Sequence, residues 1–219
     1  MEVEIKIAVI VCLLASSVLV LSELRNWPIR RAIFKVIASS AFIVVAIELN
    51  PMASSYGRLI LAALVFSWVG DVLLLSRQKR IFLFGIASFL VSHIVFSIAF
   101  ANRPLNDTAL IAGFAVMSVV GIIVLRWLWR HLSGFYQVAV TAYVVAIVGM
   151  CSFAIAVCAA SGNWILAIGA LAFAASDISV ARDRFVAQGF INRAWGLPLY
   201  YAAQIVLALS IGGVYMSAV

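Results

Sequence analysis

The chain has 219 residues, of which 66% are hydrophobic and 11% are charged, and it carries a formal net charge of +7. A water-soluble domain has about 45–50% apolar residues, so this composition excludes an ordinary soluble core and predicts a protein that uses lipid as its solvent. The basic residues lie in short segments between apolar runs, which indicates membrane topology and anionic headgroups and argues against nucleic acid as a partner.

Eight apolar runs approach the length of about 20 residues that a helix needs to cross a hydrocarbon core of ~30 Å. In chain order the predicted spans are Ile5–Leu21, Ala32–Leu49, Leu59–Leu75, Phe82–Ala101, Thr108–Leu125, Val138–Ala159, Trp164–Val180 and Leu199–Tyr215. The runs do not alternate as the strands of an outer-membrane barrel do. We therefore predict an all-α fold, a polytopic transmembrane bundle of about eight helices, with residues 1–219 forming a single integral membrane domain.

The positions of the four prolines bear on the class of membrane protein. Pro28, Pro51, Pro104 and Pro198 are predicted to lie in loops or at the start of a helix, where proline is tolerated. Many secondary transporters have helices broken at the bilayer midplane. With no proline in the middle of a span, the pattern argues mildly against that class.

The sequence predicts neither a metal site nor a cofactor. The three cysteines, Cys12, Cys151 and Cys158, all lie inside apolar runs. Their spacing matches no metal motif, and we interpret them as small buried hydrophobic residues.

Basic residues are distributed unequally between the two sides of the predicted bundle. The richer side follows spans one, three, five and seven and holds Arg25, Arg30, Arg31, Lys35, Arg77, Lys79, Arg80, Arg126, Arg130, Arg182, Arg184 and Arg193. The other side holds only Lys6, Arg58 and Arg103. By the positive-inside rule the richer side is cytoplasmic, which places both termini outside in a multi-pass protein of the bacterial plasma (inner) membrane.

Two aspartates lie within predicted spans, where a carboxylate costs ~2.5–3.5 kcal/mol on insertion scales. Asp71 is near the end of span three and Asp177 near the end of span seven, so both have a similar depth near the cytoplasmic side. One interpretation is an acid/base pair. The other is two helix-end aspartates that reach water or pair with a loop arginine.

Other polar residues have both a structural and a functional interpretation. His93, well inside span four, either hydrogen-bonds to a neighbouring helix or takes part in a site. Lys35 either snorkels to the interface or contacts a phosphate or an aspartate. Tyr200 and Gln204 share a helix face, and a tyrosine at this depth is typical of an interfacial anchor. The segment 182–184 either binds phosphate or is a solvated loop.

The polar cluster as a whole is more informative than its members. Six polar residues from four spans all fall in the cytoplasmic half: Lys35, Asp71, Asp177, Tyr200, Tyr201 and Gln204. A pathway for ions would need polar residues at both depths. A cluster that opens to one side instead indicates a site for a lipid-borne substrate.

The order of these residues resembles the lysoplasmalogenase, or YhhN-like, family of eight-span membrane proteins. The motifs are Gly70-Asp71-Val72-Leu73-Leu74-Leu75; then Phe82, Gly85, Phe89 and His93; Tyr143 and Met150; Ser176-Asp177 with Arg184-Phe185; and Tyr200-Tyr201 with Gln204. The resemblance implies a hydrolase that cleaves the vinyl-ether bond of lysoplasmalogens and releases a fatty aldehyde and a glycerophospho-base. Its partners would be the lipid bilayer and a lysophospholipid substrate.

A vinyl ether is cleaved by protonation at its β-carbon, so the expected site needs a proton donor and a carboxylate that stabilises the cation. We expect Asp71 and Asp177 to be this catalytic pair, with His93 orienting one of them or relaying a proton. The expected substrate-binding residues are Lys35, facing the phosphate, and Tyr143, Ser176, Tyr200, Tyr201 and Gln204. Two alternatives remain: a small proton-coupled lipid transporter or flippase that uses the same aspartates, and a non-catalytic lipid-binding protein.

Overall fold

The computed structural model describes residues 1–76 and 78–216 as a bundle of eight α-helices. The helices are α1 Glu2–Leu24, α2 Pro28–Glu48, α3 Ser55–Leu73, α4 Lys79–Ala101, α5 Asp107–Trp129, α6 Phe135–Ser161, α7 Ile165–Ala181 and α8 Phe190–Met216. A 3₁₀ turn, Pro51–Ala53, precedes α3, and a π-helical segment, Arg182–Val186, follows α7. The prediction of an all-α bundle of about eight helices is confirmed. Arg77, which we assigned to the basic side, lies outside the described residues.

Seven of the described helices are long and apolar enough to cross a membrane, and α2 is the one that does not meet both conditions. Its 21 residues give a helix of about 31 Å, so its length suffices. Arg30, Arg31 and Lys35 lie in its first half and Glu48 at its end, and these charges set it apart. Two of these residues, Arg31 and Lys35, line the cavity described below.

One proline contradicts the sequence-based prediction. Pro198 lies inside α8, which begins at Phe190 rather than at Leu199. Polar residues made the segment before Pro198 resemble a loop, but the side chains of Asn192 and Arg193 are held by contacts with Asp183, and the helix forms around them. Proline has no N–H to donate within the helix, and packing in a bundle tolerates that loss. Of the other three prolines, Pro28 begins α2 as predicted.

Successive helices pack as antiparallel pairs, α1 with α2, α3 with α4, α5 with α6 and α7 with α8. The bundle closes because α8 also packs against α1, α2 and α3, while α6 packs against α4 and α7. Serines join α3 to α4: the hydroxyls of Ser88 and Ser92 donate to the carbonyls of Phe66 and Ala63 at 2.6 and 2.8 Å. Small polar residues of this kind let helices approach closely and bond across an apolar interface.

The three cysteines are free and buried, as predicted for small hydrophobic residues. Each lies on a helix, α1 for Cys12 and α6 for Cys151 and Cys158. Their side chains pack in the helix interfaces rather than at a loop. The sequence interpretation of these residues is confirmed.

The two ends of the bundle differ in charge. At the end where α1 and α7 finish and α2 and α8 begin, Glu23 contacts both Arg31 and Arg193. We call this the basic end, because the arginine-rich loops predicted from the sequence join helices there. At the opposite end the Tyr56 hydroxyl hydrogen-bonds with Ser210 at 2.8 Å.

Candidate active site

A cavity of about 760 Å³ lies near the basic end between the two halves of the bundle. One wall is formed by α2, α3 and α8, and the facing wall by α4, α5, α6 and α7. The exposed residues Asn26 and Gln188 line its mouth, so the cavity opens at this end. Asp71, Asp177, Lys35, Tyr143, Ser176 and Tyr200 all line it.

Asp71 is 3% exposed and is held by three donors. The Lys35 ammonium lies 3.1 Å from Oδ1, and the hydroxyls of Ser39 and Tyr200 donate to Oδ2 at 2.5 and 2.7 Å. An ionised carboxylate only accepts hydrogen bonds, whereas a carboxylic acid must also donate one. Because every partner of Asp71 in this arrangement is a donor, the geometry fits the ionised form.

The partners of Asp71 follow from the spacing of residues on α2. Arg31, Lys35 and Ser39 succeed one another at intervals of four, so they lie on one face of the helix. Each step moves about 6 Å along the helix axis, from Arg31 at the mouth to Ser39 inside the bundle. Sequence reasoning placed Lys35 in the first turn of its span and missed Ser39, although this spacing was a signal that could have found it.

Asp177, on the facing wall, is paired with His93. The Nε2 atom of His93 lies 3.1 Å from Asp177 Oδ2, and the histidine is fully buried. The two atoms are close but not aligned as a full hydrogen bond. Catalytic hydrogen bonds are often poorly aligned before substrate binds.

The contact of the other ring nitrogen of His93, Nδ1, limits where the protons of the His93–Asp177 pair can lie. Nδ1 lies 2.7 Å from the carbonyl oxygen of Phe89, which is only an acceptor, so Nδ1 carries a hydrogen. Nε2 then either carries a second hydrogen and faces a carboxylate, or is an acceptor and faces a carboxylic acid. In both cases the contact is satisfied by one proton between His93 and Asp177.

Aromatic rings fix the position of this pair. The His93 ring lies between Phe173, with ring centroids 4.4 Å apart, and Tyr143, with centroids 5.1 Å apart. The Tyr143 hydroxyl also interacts with the Asp177 carboxyl group. The titratable groups are therefore surrounded by apolar surface, which excludes water from one side of the pair.

Tyr200 lies between the two walls. Its hydroxyl donates to Asp71, and its ring packs on Phe89 and Phe173 with centroid separations of 5.9 and 5.5 Å. Phe89 in turn lies against Gly70, where an added Cβ would meet the ring at 2.6 Å. In the Gly70-Asp71 motif, Asp71 therefore supplies the carboxylate and Gly70 leaves space for the Phe89 ring. That ring packs on Tyr200, which donates to Asp71.

Residues 30–211 match the sequence pattern of the YhhN family. The chain belongs to the YhhN family. It is 32% identical over 158 residues to "Lysoplasmalogenase TMEM86A" of Bos taurus, which is 69% of this chain and 64% of that protein. It is 30% identical over 194 residues to "Lysoplasmalogenase" of Mycobacterium bovis, 85% of this chain and 72% of that protein.

A third relative is "Lysoplasmalogenase TMEM86B" of Sus scrofa, which is 30% identical over 170 residues, 77% of this chain and 70% of that protein. The chain thus spans less than two thirds of the length of the bovine relative. No solved structure matches the chain. The family resemblance predicted from the sequence motifs is confirmed.

Three predicted site residues of this YhhN-family protein lie behind the cavity rather than on its surface: His93, Tyr201 and Gln204. Tyr201 is fully buried, with its hydroxyl 3.4 Å from both Ser39 Oγ and the Lys35 carbonyl oxygen. Gln204 is also fully buried, and its amide donates to Ser67 at 3.2 Å. A role for either in binding substrate stays a prediction, whereas their contacts support the helices that carry Asp71 and Lys35.

The mouth of the cavity carries an ionic network that sequence reasoning missed. Glu23 contacts Arg31 and Arg193, and Arg193 also contacts Asp183. The network joins α1, α2, α8 and the π-helical segment. Glu23 gave no signal in the sequence because it looks like an ordinary charged residue at a helix end.

The segment 182–184 is not a solvated loop, since it is part of an ordered π-helical turn, and its binding of phosphate stays a prediction. Arg182 is held by Asn192, and Asp183 accepts from the backbone N–H of Gly189 at 2.9 Å. Within residues 1–76 and 78–216, no group of three His, Cys, Asp or Glu side chains is placed to hold a metal ion.

Proposed function

We propose that this protein hydrolyses the vinyl-ether bond of lysoplasmalogen-type lysolipids, giving a fatty aldehyde and a glycerophospho-base. The observation that carries the proposal is the pairing of Asp71 with a cation and hydroxyl donors on one wall of the cavity, facing the close pair of Asp177 and His93 on the other. The names of the curated relatives favour the same activity.

The two walls supply different chemistry. The Asp177–His93 pair transfers its proton to the β-carbon of the vinyl ether, which leaves an oxocarbenium ion at the carbon bonded to oxygen. Asp71, ionised and fixed by Lys35, Ser39 and Tyr200, stabilises that positive charge. A carboxylate held by preorganised donors needs no rearrangement as the cation forms.

Water completes the reaction. Having given up its proton, the Asp177–His93 pair accepts one from the water that attacks the oxocarbenium carbon, so the same groups act first as acid and then as base. The resulting hemiacetal loses its hydroxyl proton, breaks its bond to the glycerol oxygen and becomes the aldehyde, while that oxygen takes up a proton. One water is consumed and no cofactor is required.

The proposal is tested with purified protein in detergent, a 1-alkenyl lysophospholipid and a measurement of aldehyde release. We expect Asp177→Asn and Asp71→Asn each to lower kcat by at least about 10²-fold, the usual contribution of an acid/base group. Asp107→Asn, which removes an exposed carboxylate at the start of α5, is the matched control and should retain activity. The saturated 1-alkyl analogue should not be cleaved.

Each outcome has a defined meaning. Near-normal turnover in either site variant removes that aspartate from the mechanism. No aldehyde from the intact protein with any 1-alkenyl lysolipid refutes the hydrolase. Lipid movement in sealed vesicles without hydrolysis would favour the transporter, and lipid binding that survives loss of both aspartates would favour a non-catalytic role. We also propose that the basic end, and with it the mouth of the cavity, faces the cytoplasm.

A further inference from the structure

Lys35 was expected to bind the phosphate of the substrate, but the structure commits it to another group. Its ammonium lies 3.1 Å from Asp71, and its side chain is only 13% exposed. Moving it to a phosphate would leave the buried Asp71 carboxylate without its cation, which is strongly unfavourable. A different cation must therefore face the phosphate of a lysophospholipid in this cavity.

Arg31 occupies the position where such a cation is needed. It lines the cavity one helical turn nearer the mouth than Lys35 and on the same face of α2. Its only ionic contact among the described residues is a separation of 3.8 Å between its Nε and Glu23 Oε1. The Nε atom is buried and has no hydrogen-bond partner there, so the guanidinium retains donors for a ligand.

The acidic residues around Arg31 are shared with other arginines. The second oxygen of Glu23 lies 2.6 Å from Arg193, which also contacts Asp183. Arg184 adds a further positive charge to the cavity lining, with its guanidinium 3.9 Å from the centre of the Phe82 ring. The mouth thus has three arginines, Arg31, Arg184 and Arg193, and two carboxylates. One bound anionic group would balance the remaining positive charge.

The spacing along α2 fits the substrate. In a 1-alkenyl lysophospholipid the phosphorus is about five bonds from the ether oxygen, roughly 6 Å in an extended chain. The step from Arg31 to Lys35, which holds Asp71, is also about 6 Å. A phosphate at Arg31 therefore places the vinyl ether at the depth of Asp71.

The far wall of the cavity suits the hydrocarbon chain. It is lined by the apolar residues Val124, Leu128, Val140, Val144 and Ile147 of α5 and α6. Since α2 packs against α1, α3 and α8, whereas α6 packs against α4, α5 and α7, this apolar wall faces Arg31 across the cavity. The cavity thus has a cation on the side of α2 and an apolar wall opposite it.

We propose that Arg31, assisted by Arg184, binds the phosphate of a single-chain lysophospholipid, and that Lys35 serves Asp71 instead; this inference rests on the proposed function. The site selects an anionic phosphodiester headgroup over an uncharged glycerol. Arg31 binds and positions the lipid and takes no part in the proton transfers.

Binding of uncleavable lipids tests the subsite separately from catalysis. The ligands are a saturated 1-alkyl lysophospholipid and the matching 1-alkylglycerol, which lacks the phosphate. We expect Arg31→Gln to weaken binding of the lysophospholipid by roughly tenfold, the loss of a charge-assisted hydrogen bond, without changing Kd for the alkylglycerol. Arg31→Lys should restore part of the loss, because it keeps the charge but not the fork of donors.

Two further variants keep the test decisive. Arg184→Gln changes an exposed residue and should show the same selective loss. Arg126→Gln removes an equal charge from an exposed position near the end of α5 that lies at the basic end. This variant should bind both lipids normally. In a hydrolysis assay, Arg31→Gln should raise KM for the alkenyl lysophospholipid and leave kcat nearly unchanged.

Three results would overturn the assignment. If Arg31→Gln weakened binding of both lipids equally, the role of Arg31 would be structural. If neither Arg31→Gln nor Arg184→Gln changed the affinity for the lysophospholipid, these arginines would not bind its phosphate. Binding of inorganic phosphate that depends on Arg31 and equals that of the lysophospholipid would assign the subsite to free phosphate. Because the ligands are not cleaved, each of these results stands whether or not the protein is a hydrolase.

Discussion

His93 is the residue whose hydrogen bonds are most constrained. Its Nδ1 hydrogen is committed to the backbone carbonyl of Phe89 within its own helix, so only Nε2 is available to the site. A histidine oriented by a backbone carbonyl keeps one tautomer and one ring position. The pair with Asp177 can therefore lose and regain a proton without a rotation of the ring.

Replacement of this imidazole tests whether the pair acts as a unit. We expect His93→Gln to lower kcat by about 10²-fold, because glutamine retains polar atoms but cannot exchange a proton near neutral pH. The measurement is aldehyde release from a 1-alkenyl lysophospholipid. His131→Gln, at an exposed position in the turn after α5, is the matched control. Wild-type turnover in His93→Gln would reduce the histidine to a packing residue.

Asp71 shows the opposite arrangement at the same scale. Its partners all donate, and they come from α2 and α8 rather than from its own helix. A buried carboxylate is tolerated in a bundle when a cation and hydroxyls satisfy it. The two aspartates, similar in sequence context, thus differ in their neighbours: Asp71 contacts a lysine and two hydroxyls, and Asp177 contacts a histidine.

At the scale of elements, α3 and α4 are held together so that an aromatic ring reaches the site. Gly70 leaves space for Phe89, and Phe89 packs on Tyr200, the donor to Asp71. The serine bonds between the two helices fix their register nearby. The position of Tyr200 therefore depends on the glycine at position 70 of α3, which leaves room for the Phe89 ring.

A methyl group at this position should disturb both packing and activity. We expect Gly70→Ala to cost about 1–3 kcal/mol of stability, as overpacking of a core does, since the Phe89 ring must move. The measurement is thermal unfolding in detergent, together with aldehyde release. Gly149→Ala is the control, because its added Cβ would lie 3.6 Å from Ser97 Oγ, an ordinary contact. If Gly70→Ala unfolded at the wild-type temperature with full activity, the packing argument would be wrong.

For the whole molecule, the asymmetry of charge relates the cavity to the membrane. The cavity opens at the basic end, which we propose to be cytoplasmic because positive residues of membrane proteins are retained on that side and interact with anionic headgroups. A lysolipid in that leaflet already presents its phosphate at the level of the helix ends. The orientation proposed for the bundle thus fixes which leaflet supplies the substrate.

Cysteine labelling in intact cells tests this orientation. The three native cysteines are fully buried in the bundle, so the background of labelling should be low. Ser133→Cys lies in an exposed turn at the basic end and Asn163→Cys in an exposed turn at the opposite end. An impermeant maleimide should label Asn163→Cys only, and both variants after lysis. Labelling of Ser133→Cys alone in intact cells would invert the topology.

The sequence by itself determined the class of fold and the family. Apolar runs of membrane length specify helices because backbone groups in lipid must be satisfied within their own segment, and this local rule placed the eight helices. It failed at Phe190–Leu197, where the contacts of Asn192 and Arg193 with Asp183 stabilise a helix in a polar segment. The cost of burying a charge likewise identified Asp71 and Asp177 as unusual without any structure.

Only the tertiary structure decided what each polar residue does. Lys35 had open alternatives in the sequence, and the approach of α2 to α3 assigned it to Asp71. The spacing of Arg31, Lys35 and Ser39 placed them on one face of a helix, but their partners, like those of Glu23, depend on contacts with other helices. Local propensity and hydropathy are properties of a segment, whereas a hydrogen bond between helices depends on which faces the packed bundle brings together.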